Sequence, residues 1–229
     1  MSGVVYLLAG AGPSTTRADV RYHHDCVQAT GKRRPRIAYV GAAADDDARF
    51  ARFASDLVFG PDADVVRVEL TRKRRPTSEL RSALADADLV FLAGGDVERG
   101  MRHIDERGLT PYLRELGGQG KVFEGISAGS ILLGRHWVRF PAGDDERAEP
   151  FACLGIVPAS FDTHDEDDDW GELRALARLL PGRSDERTVY GIASGACAVW
   201  KDGGLRALGR ALVRFSCEAG GSRLEDLGV

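Results

Sequence analysis

From Val4 to Gly134 the chain alternates short apolar runs with longer stretches in which apolar positions recur at helical spacing. "VVYLL" reads as a buried strand, and "TTRADVRYHHDCVQAT" as a helix after it. "RIAYVGAA" is a second strand followed by the helical "DDDARFARFASDLVF". "DVVRVEL" alternates as a third strand, and "SELRSALADA" reads as a helix opened by Ser78. "DLVFLAGG" is apolar throughout, as in strands covered on both faces. A helical stretch from Val97 to Leu116, interrupted at Gly108, leads to the strand "KVFEG". This order predicts an α/β fold: a doubly wound, mostly parallel sheet with helices on both faces.

The pattern then changes. "RFPAGDDERAEP" has the composition of an exposed loop, and "GELRALARLL" is an amphipathic helix with Leu173, Leu176, Ala177 and Leu180 on one face. "TVYGIAS", "ACAVW" and "ALVRFS" are short strands with little helix between them, which predicts antiparallel edge strands near the C-terminus. No repeat or linker divides the chain, so a single domain is expected over residues 1–218, with 219–229 as a tail.

Composition adds bounds. The 229 residues suffice for a substantial core, and no apolar run approaches the ~20 residues that span a membrane. "MSGVVYLLAGAG" reads as a first strand rather than a leader, so a cytoplasmic location and no membrane partner are expected. The net charge of −4 argues against a nucleic-acid partner, and the basic "TRKRRPTSELR" reads as a solvated loop and helix start. Cys26, Cys153, Cys197 and Cys217 are widely spaced and read as buried reduced thiols, not as a metal site. The glycine runs lack a dinucleotide or P-loop pattern, so no metal or organic cofactor is expected.

The candidate chemistry lies in "KVFEGISAGSILLG". Gly125-Ile126-Ser127-Ala128-Gly129 fits G-x-S-x-G between a strand and a helix, the context of a nucleophile elbow. A strand that turns into a helix within two or three residues strains the serine backbone and needs small neighbours. The hydroxyl then stands at the C-terminal edge of the sheet, beside N–H groups that point toward a developing oxyanion. A glycine-rich turn with no chemistry has the same composition. A serine needs a base. Of five histidines, His23 and His24 are expected on the solvent side of the first helix and His103 on the surface. His136 is expected at the far end of the helix that Ser127 opens, out of reach. His164, in the loop of "SFDTHDEDDDWGELRALARLL", remains by elimination. No histidine follows it, so the order Ser…His…third group fits better than Ser…Asp/Glu…His.

Together "DLVFLAGGDVERGM", "EGISAGS", "FDTHDEDDDWGELRALARLL" and "VYGIASGACAVW" resemble, in order, four segments of the S51 serine peptidases, which include peptidase E and cyanophycinase. The resemblance covers most of the chain and implies a class I glutamine-amidotransferase-like fold. It implies Ser127 as nucleophile, His164 as base and then acid, and the N–H groups of Gly95 and Ala128 as oxyanion hole. It also implies a short peptide substrate and admits a homodimer.

Two positions depart from the family. Asp96 stands where the family has Asn near the substrate, and Ser194 stands where it has a carboxylate as third catalytic member. A hydroxyl can orient an imidazole but supplies no charge, and losing that charge costs on the order of 10⁴ in turnover in triad enzymes. Asp162, Asp165 and their neighbours are the candidates to compensate. The "DEDDD" run, Asp165 to Asp169, is either a solvated helix start or an acidic wall that repels an aspartate side chain. The expected function is hydrolysis of short peptides or peptide-like amides through an acyl-enzyme, with altered or reduced Asp-X dipeptidase activity. The alternative is a catalytically impaired homologue that binds a small peptide or amino acid. Glutamine amidotransfer would need cysteine at the elbow.

Overall fold

The computed structural model describes residues 3–10, 17–72, 74–141, 147–217 and 224–227. The first strand, β1 (Val5–Leu8), is followed by α1 (Arg17–Ala29), β2 (Arg36–Val40), α2 (Ala48–Phe53) and a π-helical turn at Ala54–Phe59. β3 (Asp64–Arg67), α3 (Thr77–Asp86), β4 (Leu89–Leu92), α4 (Val97–Glu106) and α5 (Thr110–Gly118) lead to β5 (Val122–Ile126) and α6 (Ala128–Leu133). Thr77 begins α3 with Pro76 at its cap position, so Ser78 lies inside the helix rather than opening it.

The main sheet also takes in β10 (Cys197–Lys201) and β11 (Gly204–Leu208), in the order β11-β10-β1-β5-β4-β2-β3. The pairs β1–β5, β5–β4, β4–β2 and β2–β3 are parallel, whereas β10 and β11 pair antiparallel at one edge. Both faces are covered, as alternate residues show. Leu7, Ala38, Val90, Leu92 and Phe123 enter the core on one face. Tyr6, Leu8, Ile37, Tyr39, Leu89 and Phe91 enter the core on the other. No described helix is long and apolar enough to cross a membrane. All four cysteines are buried thiols, none of them in a disulfide among the described residues.

A second sheet was not anticipated. β8 (Ser160–Thr163) runs parallel to β9 (Thr188–Ile192), and β12 (Leu212–Ser216) and β13 (Leu224–Leu227) continue it antiparallel. The late strands therefore divide between two sheets. β13 falls within the stretch read as a tail, and its pairing with β12 gives those four residues a place in the fold. Leu173, Leu176 and Ala177 of α7 (Gly171–Leu179), with Leu180 just beyond it, pack against Val189 and Phe215 of this sheet. "RFPAGDDERAEP" begins and ends in a hairpin of β6 (His136–Arg139) and β7 (Glu149–Ala152); 142–146 lie outside the described residues. The basic stretch is partly neutralised, since Glu69 takes Arg72 at 3.1 Å and Arg75 at 3.9 Å.

Candidate active site

β5 ends at the centre of the main sheet, and α6 starts two residues later. Ser127 makes the turn at φ 53°, ψ −125°, a conformation L-residues adopt only when their surroundings impose it. Its N–H donates to Leu8 O at 2.9 Å, which ties the turn to β1. The two flanking glycines are sterically required. A Cβ on Gly125 would lie 2.5 Å from the Gly129 backbone, and one on Gly129 would lie 2.0 Å from Leu92 O. Helix and strands therefore approach through glycine, as the G-x-S-x-G spacing predicts.

The end of β4 supplies the neighbouring loop. A Cβ on Gly94 would lie 3.2 Å from the Ser127 Cβ, and Gly95 has φ +144°, with room for no side chain against Ala43 O. Gly94-Gly95 and the N-terminus of α6 thus face one cleft, as expected where loops after neighbouring parallel strands meet. Asp96 does not share it. Its carboxylate caps α4 by accepting from Arg99 N at 2.7 Å and faces outward beside Asp45 and Asp47.

His164 arrives from the second sheet, just past β8, and its N–H donates to Ile192 O at 3.0 Å. It too has positive φ, 46°, and its ring turns back over the elbow. Ser127 Oγ and His164 Nε2 are 2.7 Å apart. A hydroxyl so placed can pass its proton to the imidazole as it attacks.

The other histidines are held elsewhere. His103 Nε2 lies 2.8 Å from Asp45 Oδ1. His136 is in β6, beyond the end of α6, and its Nδ1 lies 2.9 Å from Glu186 Oε2. His24 is exposed, but His23 contradicts the expectation of a solvent-facing pair: it is 1% exposed, and its Nδ1 contacts the Glu124 carboxylate. Tyr22, His23 and Cys26 form the buried stripe of α1. A glutamate in the middle of the otherwise apolar "KVFEG" was the signal that a buried partner had to exist.

A cavity of about 730 Å³ opens at Ser127 and His164. Phe91, Tyr39, Ile126 and Ala54 line it, together with His23, and Phe50, Phe53 and Arg49 also border it. Ile126 belongs to the G-x-S-x-G run and Phe91 to "DLVFLAGG", but Tyr39, Ala54, Phe50, Phe53 and Arg49 lie in no motif.

Residues 6–208 match the family model of Peptidase family S51. The chain belongs to peptidase family S51. It is 27% identical over 164 residues to the uncharacterized peptidase YgaJ of Bacillus subtilis (strain 168), covering 70% of this chain and 67% of that one. Its fold is similar to that of a peptidase from an acI-B1 Actinobacterium, with TM-score 0.66 and 16% identity over 100% of this chain and 98% of the other. It is also similar to that of a putative peptidase E protein from Listeria monocytogenes EGD-e, with TM-score 0.65 and 10% identity over 90% and 98% of the two chains.

Around His164 this S51 chain has its own arrangement of acids. Among the described residues the imidazole hydrogen-bonds to Ser127 and to no carboxylate. Ser194 does not reach the ring; its N–H donates to Glu166 Oε1 at 2.9 Å, and its carbonyl accepts from Arg210 Nη1. Burial raises the Glu166 carboxyl, but hydrogen bonds from Ser194 and the charge of Arg210 outweigh it and leave the group below its ordinary value. Asp165 and Glu172 both feel the charge of His164. Burial raises each of them, against an opposing hydrogen bond from Glu172 N–H to Asp165 and from Trp137 Nε1 to Glu172 (2.8 Å). Asp162 is nearly buried, and its Oδ1 accepts from Thr163 N. Burial first, and then the neighbouring Glu172, hold its carboxyl well above the usual range. Asp162 and Ser194 do not line the cavity, and neither does any residue of the acidic turn at 165–169.

Proposed function

We propose that the chain is a serine peptidase of short peptides. Ser127 Oγ attacks the scissile carbonyl carbon while His164 Nε2 takes the hydroxyl proton, and the N–H groups of Gly95 and Ala128 hold the oxyanion. Collapse of that intermediate breaks the C–N bond; His164 returns the proton to the leaving amine, and an ester on Ser127 remains. Water, deprotonated by His164, hydrolyses the ester and restores both side chains. The 2.7 Å contact between Ser127 Oγ and His164 Nε2, at the end of a strand-to-helix turn, carries this reading.

The imidazolium formed in each step is stabilised through space by Asp165 and Glu172, not by a hydrogen-bonded carboxylate. Turnover is therefore reduced relative to a serine–histidine–carboxylate arrangement. The cavity lining offers an aspartate side chain no Lys or Arg but the surface Arg49, which pairs with Asp47, so cleavage of Asp-X dipeptides is weak. A fluorophosphonate probe tests the reading. Labelling of Ser127, abolished by Ser127→Ala, is expected together with hydrolysis of unblocked dipeptides. An unlabelled Ser127 and no hydrolysis would leave the second reading, a binding protein, which the lack of a carboxylate on the imidazole among the described residues favours.

A further inference from the structure

The cavity beside Ser127 is built for a particular kind of side chain. Its wall is apolar and aromatic: Phe91 and Tyr39 stack with centroids 5.6 Å apart, and Ala54 and Val58 come from the π-helical turn. Turns of this kind recur at functional sites, because the extra residue redirects side chains toward a ligand. The volume of about 730 Å³ falls in the ~300–1,000 Å³ range of pockets that bury small organic ligands. The mouth carries exposed aromatic surface. Among the described residues three large apolar side chains are exposed, and two of them, Phe50 and Phe53, border this cavity. Such surface is costly in water and is covered when an apolar group enters.

Charge points the same way. The cationic side chain at the cavity is Arg49, which lies at the surface and is paired with Asp47 at 2.8 Å. The ionisable group deep in the wall, His23, is held by Glu124. An aspartate side chain placed here would be desolvated against aromatic rings with no described buried cation to receive it.

We infer that this cavity is the acyl-side specificity pocket and that it selects a large apolar, preferably aromatic, side chain on the residue whose carbonyl Ser127 attacks. Ser127, Gly94-Gly95 and His164 are all part of the lining, so a side chain seated here adjoins the attacked carbonyl, and the acyl side is the assignment that the two series below test. The inference rests on the peptidase reading above and adds the substrate class to it.

Two dipeptide series test it, X-Ala and Ala-X, with Phe, Tyr, Leu, Ala, Asp or Arg as X. In the X-Ala series kcat/KM is expected at least ~100-fold higher for Phe and Tyr than for Asp, and about 10-fold higher than for Ala, as pocket discrimination by added apolar groups allows. Preference for Asp-Ala, a flat series, or a preference confined to Ala-X would overturn it. Binding of Phe-Ala and Asp-Ala to Ser127→Ala, measured by calorimetry, separates the two claims. Phe-Ala should bind at least ~10-fold tighter even if the wild-type protein proves inactive, and equal binding would sink the pocket assignment alone. Ala54→Phe, which fills the cavity from one wall, should remove the advantage of Phe-Ala over Ala-Ala; an unchanged ratio would place the side chain elsewhere.

Discussion

Ser127 and His164 meet at 2.7 Å, and both hold left-handed backbone angles, φ 53° and 46°. Each residue is strained at the end of a strand in a different sheet, and the strain turns one side chain toward the other. Replacing either should stop the reaction without unfolding the chain. Ser127→Ala and His164→Ala are each expected to lower kcat by at least ~10³-fold, and the double variant by no more than either alone, since the pair acts as a unit. Steady-state kinetics beside far-UV circular dichroism check this, and additive losses would contradict it.

The acids near His164 should act on turnover rather than binding. Asp165→Asn and Glu172→Gln each remove a negative charge that the imidazolium feels. Each is expected to lower kcat by roughly 10-fold with KM little changed. Ser194→Ala keeps the backbone N–H that binds Glu166, so it should change kcat less than about 3-fold. A large loss at Ser194 alone would reverse this ranking.

Asp162 makes stability depend on pH. Its carboxyl titrates well above its ordinary value because it is buried, and next because Glu172 is near. The folded chain thus holds this proton more tightly than the unfolded chain does. Its stabilising effect is whole below the unfolded pKa of ~3.9 and is lost as pH rises through the folded value. Asp162→Asn stays neutral throughout, so its Tm relative to wild type should climb as pH rises from about 4 to 8. Parallel Tm curves would show that the proton is not held.

His23 and Glu124 form a buried pair between α1 and β5. Glu124→Ala strands His23 without its carboxylate and should cost about 3–5 kcal/mol in urea unfolding. The double variant, His23→Ala with Glu124→Ala, should cost less than the two single losses summed, by at least ~1 kcal/mol. Additivity would mean that the pair is not coupled.

Close backbone approach at the elbow predicts a contrast between two glycines. Gly129→Ala places a methyl group 2.0 Å from Leu92 O and should destabilise by at least ~1–3 kcal/mol and impair turnover. Gly118, in α5, has open space where a methyl group would sit, so Gly118→Ala should stabilise by about 0.5–1 kcal/mol. Thermal melts of the two variants decide.

Much of the fold was legible because its signals are local. Five parallel strands, the helices between them and the glycine-flanked serine follow from runs and spacings that each segment carries by itself. His164 emerged by eliminating the other histidines, although His23 was misplaced by reading its helix as exposed on that side. The second sheet was missed because β8 and β9 pair across the whole of α7, and nothing in either strand names its partner. The aromatic cavity was missed for the same reason: Tyr39, Phe53 and Phe91 come from three separate elements, each ordinary in its own segment.

The order of runs and small residues, taken by itself, determined a parallel sheet, a serine on a tight turn and the family resemblance, because backbone propensity and steric need act over a few neighbouring positions. Tertiary structure alone decided that His164 crosses from another sheet to reach that serine, that Ser194 binds Glu166 instead of the imidazole, and that aromatic rings surround the opening. Those outcomes depend on which distant surfaces the core brings into contact, a property of the packed chain that no short window contains.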